Sequence, residues 1–205
     1  MFMTTPAIAD DIDNSGPRLY VSVDGKLVDL QSEFEKNTFD LTPPDQTVVS
    51  PRLIDFGQWT SCYTFNNQED VFREYNHFWN GSGHDVRLKC GTTGTSGWGY
   101  RHIEEGHGAQ WQSQLDQARA KGWNPAWQGV NSWDDLMAGA AGSAVTFPEI
   151  VGGNPVSQTK CGITDLYLVH RDNPQVVLMT IRVLASWATN SDRLITVYPT
   201  NKSSC

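Results

Sequence analysis

The chain has 205 residues, 39% of them hydrophobic and 19% charged, with a formal net charge of -8. Such a length holds one substantial core, or one core and a small appended domain. No run of about eighteen apolar residues occurs, so no membrane segment is expected, and residues 1–16 lack the basic start and apolar stretch of a signal peptide. The acidic balance argues against a nucleic-acid binder that relies on overall charge, because phosphate neutralisation supplies most of the affinity in such complexes. The excess is local: residues 1–56 carry ten acidic and four basic side chains, residues 57–205 thirteen and eleven. The larger part is therefore close to neutral and has room for a local basic cleft.

Residues 1–17 are polar and poor in large apolar side chains, the composition of a loosely attached segment. From Arg18 to Asp29 apolar and polar residues alternate around Asp24-Gly25, the signature of a hairpin with a two-residue turn. Pro43-Pro44 then punctuates the chain, and a boundary is expected near residues 41–56. Val71, Phe72, Tyr75, Phe78 and Trp79 have helical spacing, which predicts a helix over Asn67–Trp79 with Asn67 as N-cap and Gly81 beyond its end. Asp85–Cys90 alternates like a short strand and runs into the glycine-rich loop Gly91–Gly97, which lacks the Lys-Ser or Lys-Thr ending of a phosphate-binding loop.

Trp111, Leu115 and Ala118 predict a helix from Ala109 to Lys121, closed by Gly122, and Ser132 opens another with Trp133, Leu136, Met137 and Ala140 on one side. Three β-rich runs end the chain, Leu166–His170, Val176–Leu184 and Arg193–Tyr198, separated by turn residues. The fold class is α+β, with helices packed on a C-terminal antiparallel sheet and a small β-containing extension in front.

Cys62, Cys90, Cys161 and Cys205 stand far apart, without the two-residue spacing of a zinc site. They fit two disulfides in an exported protein, or four free thiols in a cytosolic one. Of three possible pairings, Cys62 with Cys90 and Cys161 with Cys205 is the one expected, since the first brackets a compact segment and the last residue is a natural anchor for a terminus.

Proton-transfer capacity is concentrated in Arg101-His102-Ile103-Glu104-Glu105-Gly106-His107. Histidine titrates near neutral pH, so two close imidazoles can share the work of base and acid in one reaction. His102 and His107 are five apart, about 140° around a helix, which disfavours joint zinc ligation from one helix. Gly106 suggests that a short turn ends there, so that the two rings converge from different backbone directions. Glu104 and Glu105 either complement the positive end of a helix or orient a histidine. His77, His84 and His170 have no such company and read as ordinary structural histidines. No activated serine or cysteine is evident, and neither a metal nor another cofactor is expected.

The stretch Gly99–His107, with Trp111 and Leu115 after it, resembles the histidine-bearing helix entry of bacterial toxin ribonucleases. Together with Arg193-Leu-Ile-Thr-Val-Tyr-Pro199 it resembles the superfamily that groups barnase, EndoU, colicin D and RelE type nucleases, whose polymorphic toxin members often close on a Thr-x-Tyr-Pro strand end. The resemblance covers roughly residues 85–200. It implies helices on an antiparallel sheet, an acidic extension over 1–56 ahead of a ribonuclease-like domain over 57–205, and metal-independent RNA cleavage to a 2',3'-cyclic phosphate. By the same resemblance His102 and His107 are the acid/base candidates, and Thr196 and Tyr198 line the cleft from one face of a strand. Arg101 and Lys89 are the nearest cations for the phosphate, and Trp98 can stack on a base. RNA is then the substrate, a cognate immunity or inhibitor protein a further partner, and the chain an exported toxin that acts in a target cell's cytoplasm.

The rival reading is a secreted, disulfide-stabilised binding module whose eight tryptophans supply stacking platforms for a carbohydrate or protein ligand. Trp111 and Trp133 speak against a single platform, since both fall in the apolar phase of predicted helices.

Overall fold

The computed structural model describes residues 16–23, 25–30, 53–77, 84–170 and 172–205. The loose attachment expected of residues 1–17, the double proline of the 41–56 boundary, and Phe78, Trp79 and Gly81 of the helix expected over 67–79 fall wholly or mostly outside the described residues. The elements are β1 (Arg18–Val23), β2 (Lys26–Asp29), a short helix α1 (Phe56–Trp59) running into a π-helical turn at Thr60–Thr64, β3 (Val71–His77), β4 (His84–Lys89) and α2 (Gly99–Ala120). A 3-10 turn at Pro125–Gln128, α3 (Trp133–Thr146), β5 (Ile150–Asn154), β6 (Thr159–His170), β7 (Asn173–Ala188) and β8 (Leu194–Pro199) follow. The chain is an α+β protein, and its N-terminal region carries the expected strands.

One antiparallel sheet runs β2-β1-β6-β7-β8. β6 spends its first half paired to β5, over Thr159–Ile163, and its second half paired to β1, over Leu166–Val169, while β7 accompanies its whole length on the other side. The β1–β2 hairpin turns in two residues, since Val23 pairs with Lys26 and Gly25 sits at φ 74°. It joins the same sheet as the C-terminal strands. β2 begins to pair only at Tyr20, so the backbone of Leu19 points past the strand end, and the buried Gln128 carboxamide takes the place of the missing strand. Its Oε1 accepts from Leu19 N at 2.8 Å and from Trp123 Nε1 at 2.7 Å, and its Nε2 donates to Leu19 O and Asp29 Oδ1, both at 2.8 Å.

α3 is the centre of the molecule. It is buried without a break from Asp135 to Val145, and its alanines and glycines let it lie close to β3, β6, β7 and α2. A Cβ on Gly162 would stand 2.1 Å from the Ala144 carbonyl oxygen, so only glycine in β6 permits this approach. The Asp135 carboxylate fixes the start of α3, accepting from Ser132 Oγ at 2.9 Å and from Leu53 N at 2.9 Å.

The segment expected to be a helix over Asn67–Trp79 is instead strand β3, paired antiparallel to β4. A bulge between Val71 and Arg73 changes the alternation, so the buried positions are Phe72, Tyr75 and His77. A bulged strand therefore imitates the three- and four-residue spacing of a helical face. The helix expected from Ala109 begins ten residues earlier, at Gly99, and runs through Gly106 without interruption. The expected redirection at Gly106 does not occur.

Both disulfides are those expected, Cys62–Cys90 with Cα atoms 5.5 Å apart and Cys161–Cys205 with Cα atoms 6.0 Å apart. The β3–β4 hairpin is tied to the β7–β8 turn by ion pairs: Lys89 Nζ reaches Glu69 at 2.9 Å and Asp192 at 2.8 Å, and Arg87 reaches Glu74 at 2.7 Å and Asp192 at 2.9 Å. No helix among the described residues is long and apolar enough to cross a membrane.

Candidate active site

The entry to α2 is set by glycine and by a disulfide. Gly91 and Gly99 have φ of 71° and 76°, and a Cβ on either would meet backbone, the Trp98 carbonyl oxygen at 1.8 Å or the Lys89 carbonyl oxygen at 2.5 Å. The end of β4 can therefore lie directly on the first turn of the helix, where Arg101 N donates to Cys90 O at 3.0 Å and Cys90 is bonded to Cys62. The glycines of the 91–97 loop serve this close backbone approach. Glu105 accepts from Gly94 N at 2.8 Å and holds the loop, while Glu104 accepts from the Tyr63 hydroxyl. Burial and that contact push the Tyr63 hydroxyl pKa well up. Both carboxylates are thus engaged away from the histidines.

His102 and His107 meet although they ride on one continuous helix. At 100° per residue Gly106 lies on the arc between them, and the space where its Cβ would stand is open. The two rings lean over this gap with centroids 6.2 Å apart and an interplanar angle of 87°. Both are half-buried, so solvent reaches them. The far face of His107 stacks on Tyr198 of β8, with ring centroids 4.7 Å apart and planes 21° from parallel. His107 Nδ1 lies 3.2 Å from Gln110 Oε1. With a carbonyl oxygen as its partner, Nδ1 carries the hydrogen and Nε2 keeps the lone pair. Burial lowers the His107 pKa from the ordinary imidazole range, and the neighbouring His102 lowers it further, against an upward pull from Gln110. His107 is therefore neutral near pH 7.

Lys202 completes this face. Its Nζ donates to the Tyr198 hydroxyl at 3.2 Å and stands 5.7 Å above the ring centroid. The tail that carries it is secured by the Thr200 N–H bond to the Arg182 carbonyl at 2.9 Å and by Cys205. One turn further along α2, Ala109, Gln110, Ser113 and Gln114 form with Pro199 a shallow depression of about 360 Å³.

Of the other residues singled out by sequence, Lys89, Arg101 and Trp98 lie apart from this face, while Thr196 shares the strand face of Tyr198. Lys89 is only 9% exposed and holds Glu69 and Asp192. Arg101 donates to Asn66 Oδ1 at 2.7 Å and lies 5.7 Å from the Tyr63 ring centroid. Trp98 is covered by the Arg193 guanidinium at 4.2 Å. Thr196 sits two residues before Tyr198 on β8, opposite Ser186, with its hydroxyl buried. The histidine pair and Tyr198 come together; Lys89, Arg101 and Trp98 serve the junction of loop, hairpin and β7–β8 turn. Sequence reasoning missed Gln110 and Lys202. Gln110 could have been found by its position one turn after His107, and Lys202 as the cation that follows Tyr198 by four residues.

No family model, curated protein or solved structure matches this chain. Among the described residues no group of three or more His, Cys, Asp or Glu side chains is placed to hold a metal ion. What the face offers is a neutral imidazole with its lone pair available, a second imidazole in reach, a phenol and an ammonium.

Proposed function

We propose that the chain is an endoribonuclease that cleaves RNA by histidine acid/base transesterification, without a metal ion. The observation that carries this reading is the approach of His102 and His107 to 6.2 Å on an open helix face, backed by Tyr198. At that separation one phosphodiester can lie within hydrogen-bond reach of both rings, about 2.6–3.2 Å from each acting nitrogen. His107 Nε2 takes the proton of the ribose 2'-hydroxyl, whose oxygen forms a bond to phosphorus. His102, protonated, gives its proton to the departing 5'-oxygen as the second P–O bond breaks, leaving a 2',3'-cyclic phosphate and a 5'-hydroxyl. The Tyr198 hydroxyl and Lys202 Nζ donate to the charge that builds on the phosphate oxygens. Two disulfides suit a protein that passes through an oxidising compartment, in keeping with an exported toxin that acts in another cell and is held in check at home by an inhibitor protein.

The test is incubation of the purified protein with total cellular RNA in EDTA, with end-group analysis of the fragments. Cyclic phosphate termini are expected, and alanine at His102 or at His107 lowers the rate by about 10²–10⁴-fold with the fold retained. Cleavage that requires added divalent metal, or that survives both substitutions, refutes the assignment.

A second reading has one specific observation in its favour. Phe56 and Phe65 are 83% and 75% exposed, and Trp59, 49% exposed, stacks on Tyr63 with centroids 5.4 Å apart. Exposed aromatics of this kind suit a binding module for sugar rings or protein. Among the described tryptophans Trp111, Trp123 and Trp187 are buried in the core and Trp98, Trp127 and Trp133 are half-buried, so Trp59 is the exposed one on which this reading rests. Ligand capture abolished by Trp59→Ala and indifferent to His102→Ala would favour it.

A further inference from the structure

Beyond His107, α2 presents a stripe of uncharged amides. Gln110 and Gln114 follow the histidine by three and seven residues, which keeps all three on one side of the helix. At about 1.5 Å per residue the two amides stand about 4.5 and 10.5 Å further along the axis. Those two glutamines, with Ala109, Ser113 and Pro199, line the shallow depression of about 360 Å³ next to the histidine face. That volume falls in the range of small-molecule sites, about 300–1,000 Å³.

The glutamines of α2 differ in what they have left to offer. Gln110 Oε1 is taken by His107 Nδ1 at 3.2 Å, Gln112 donates to Asp116 at 2.9 Å, and Gln117 donates to the Ser113 hydroxyl at 3.0 Å. Gln114 is half-buried, and among the described residues its carboxamide has no partner. It holds an acceptor and a donor side by side, the complement of the adenine edge, where N6–H donates and N7 accepts. Guanine is matched by arginine or lysine and cytosine by a carboxylate, and among the described residues no charged side chain lines the depression. Ala109 and Pro199 supply apolar surface for the plane of a ring, and the volume favours a two-ring purine over a pyrimidine.

We propose that this depression is a nucleobase site that takes adenine, read by the Gln114 carboxamide with Gln110 Nε2 as a supporting donor. Unstacked bases of single-stranded RNA are recognised in this way, by hydrogen bonds to their edges. The place of the site in the reaction rests on the ribonuclease reading. There His107 faces the attacking 2'-hydroxyl and His102 the departing 5'-oxygen, and the depression lies beyond His107 on the side away from His102. The base it receives is therefore the one on the ribose whose 2'-hydroxyl attacks, and cleavage falls after adenosine.

Binding and cleavage test the site separately. Isothermal titration of the full chain with adenosine 3'-monophosphate is expected to show saturable binding with a dissociation constant of about 1 mM or below, and the guanosine, cytidine and uridine 3'-monophosphates to bind about tenfold more weakly. Gln114→Ala, and the isosteric Gln114→Glu that keeps the acceptor and loses the donor, each remove that difference while circular dichroism shows the helices retained. In cleavage, kcat/KM for the dinucleotide ApC exceeds that for GpC, CpC and UpC by about tenfold, and Gln114→Ala brings the four within about twofold of one another. Adenine-selective binding that depends on Gln114, without cleavage of any RNA, keeps the site and refutes the ribonuclease reading. Cleavage with no preference for adenosine keeps the ribonuclease reading and refutes the site. Equal binding of the four nucleotides, tighter binding of another base, or selectivity unchanged in both Gln114 variants overturns the proposal.

Discussion

Replacing Gln128 with leucine tests whether the N-terminal hairpin folds as part of the main sheet. Leucine is close in size but can neither donate nor accept, and the four bonds made by the carboxamide vanish together. Leu19 N–H, Leu19 C=O and Trp123 Nε1–H are left in a buried setting, since Leu19 and Gln128 are 0% and Trp123 3% exposed. Each orphaned buried group costs about 1–3 kcal/mol, and the added apolar burial of leucine returns about 1–2 kcal/mol. A net loss of about 4 kcal/mol is expected. For a chain of this size that corresponds to a fall in Tm of about 8–16 °C. Urea unfolding followed by tryptophan fluorescence and by circular dichroism measures it, and the two signals should move together with an unchanged m-value. A loss under about 1 kcal/mol, or a separate early transition, would show that the hairpin is held by other means and that the substitute-strand argument is wrong.

The cleavage rate should fall on the acid side as pH drops through the His107 pKa, at a pH below the ordinary imidazole value of 6.5, because burial lowers that pKa and the base works only when neutral. Gln110→Ala removes the contact that pulls it upward and moves the acid limb to still lower pH, read from kcat/KM profiles. Folding stability declines in the same direction: His77 and His107 hold protons less tightly folded than unfolded, so their contribution is full above pH 6.5 and is lost as pH falls from there through their lower folded-state pKa values. Replacing Cys62 and Cys90 together with alanine opens a link of sequence separation 28 and destabilises by about 3–4 kcal/mol on the chain-entropy estimate, measurable by denaturant titration. Lys202→Ala lowers RNA cleavage by about tenfold without changing Tm, since the side chain is exposed and its contact is to the Tyr198 hydroxyl; an unchanged rate would remove Lys202 from the site. Gly99→Ala, by contrast, forces a Cβ to 2.5 Å from the Lys89 carbonyl oxygen at a positive φ, and is expected to lower Tm while disturbing the α2 entry.

The elements most legible in the sequence are those governed by local chemistry. Asp24-Gly25 between alternating runs specified the β1–β2 hairpin, Ser132 opened α3, and the turn residues between Leu166 and Tyr198 separated strands that the fold keeps as β6, β7 and β8. β3 was misleading because a single bulge gave it helical spacing. Gly106 was misleading in the opposite way: glycine lowers helix propensity by about 1 kcal/mol, but the packing of Ile103, Trp111 and Leu115 on either side of it carries the helix through.

Residue pattern by itself determined the fold class, the hairpin turn, the strand order at the C-terminus and the choice of His102 and His107, because each depends on neighbours a few positions away. Only tertiary structure decided what those residues touch. Tyr198 reaches His107 because β8 lies beside α2, and Lys202 joins them because Cys205 ties the tail back to Cys161. Lys89 and Arg101, equally good cations in sequence, are taken up by Glu69, Asp192 and Asn66 from distant parts of the chain. His77 met His84 and Trp187 only when the bulged strand folded back over β7. Sequence spacing fixes which side chains share a face; which partners that face meets depends on packing between segments tens of residues apart, and no local signal encodes it.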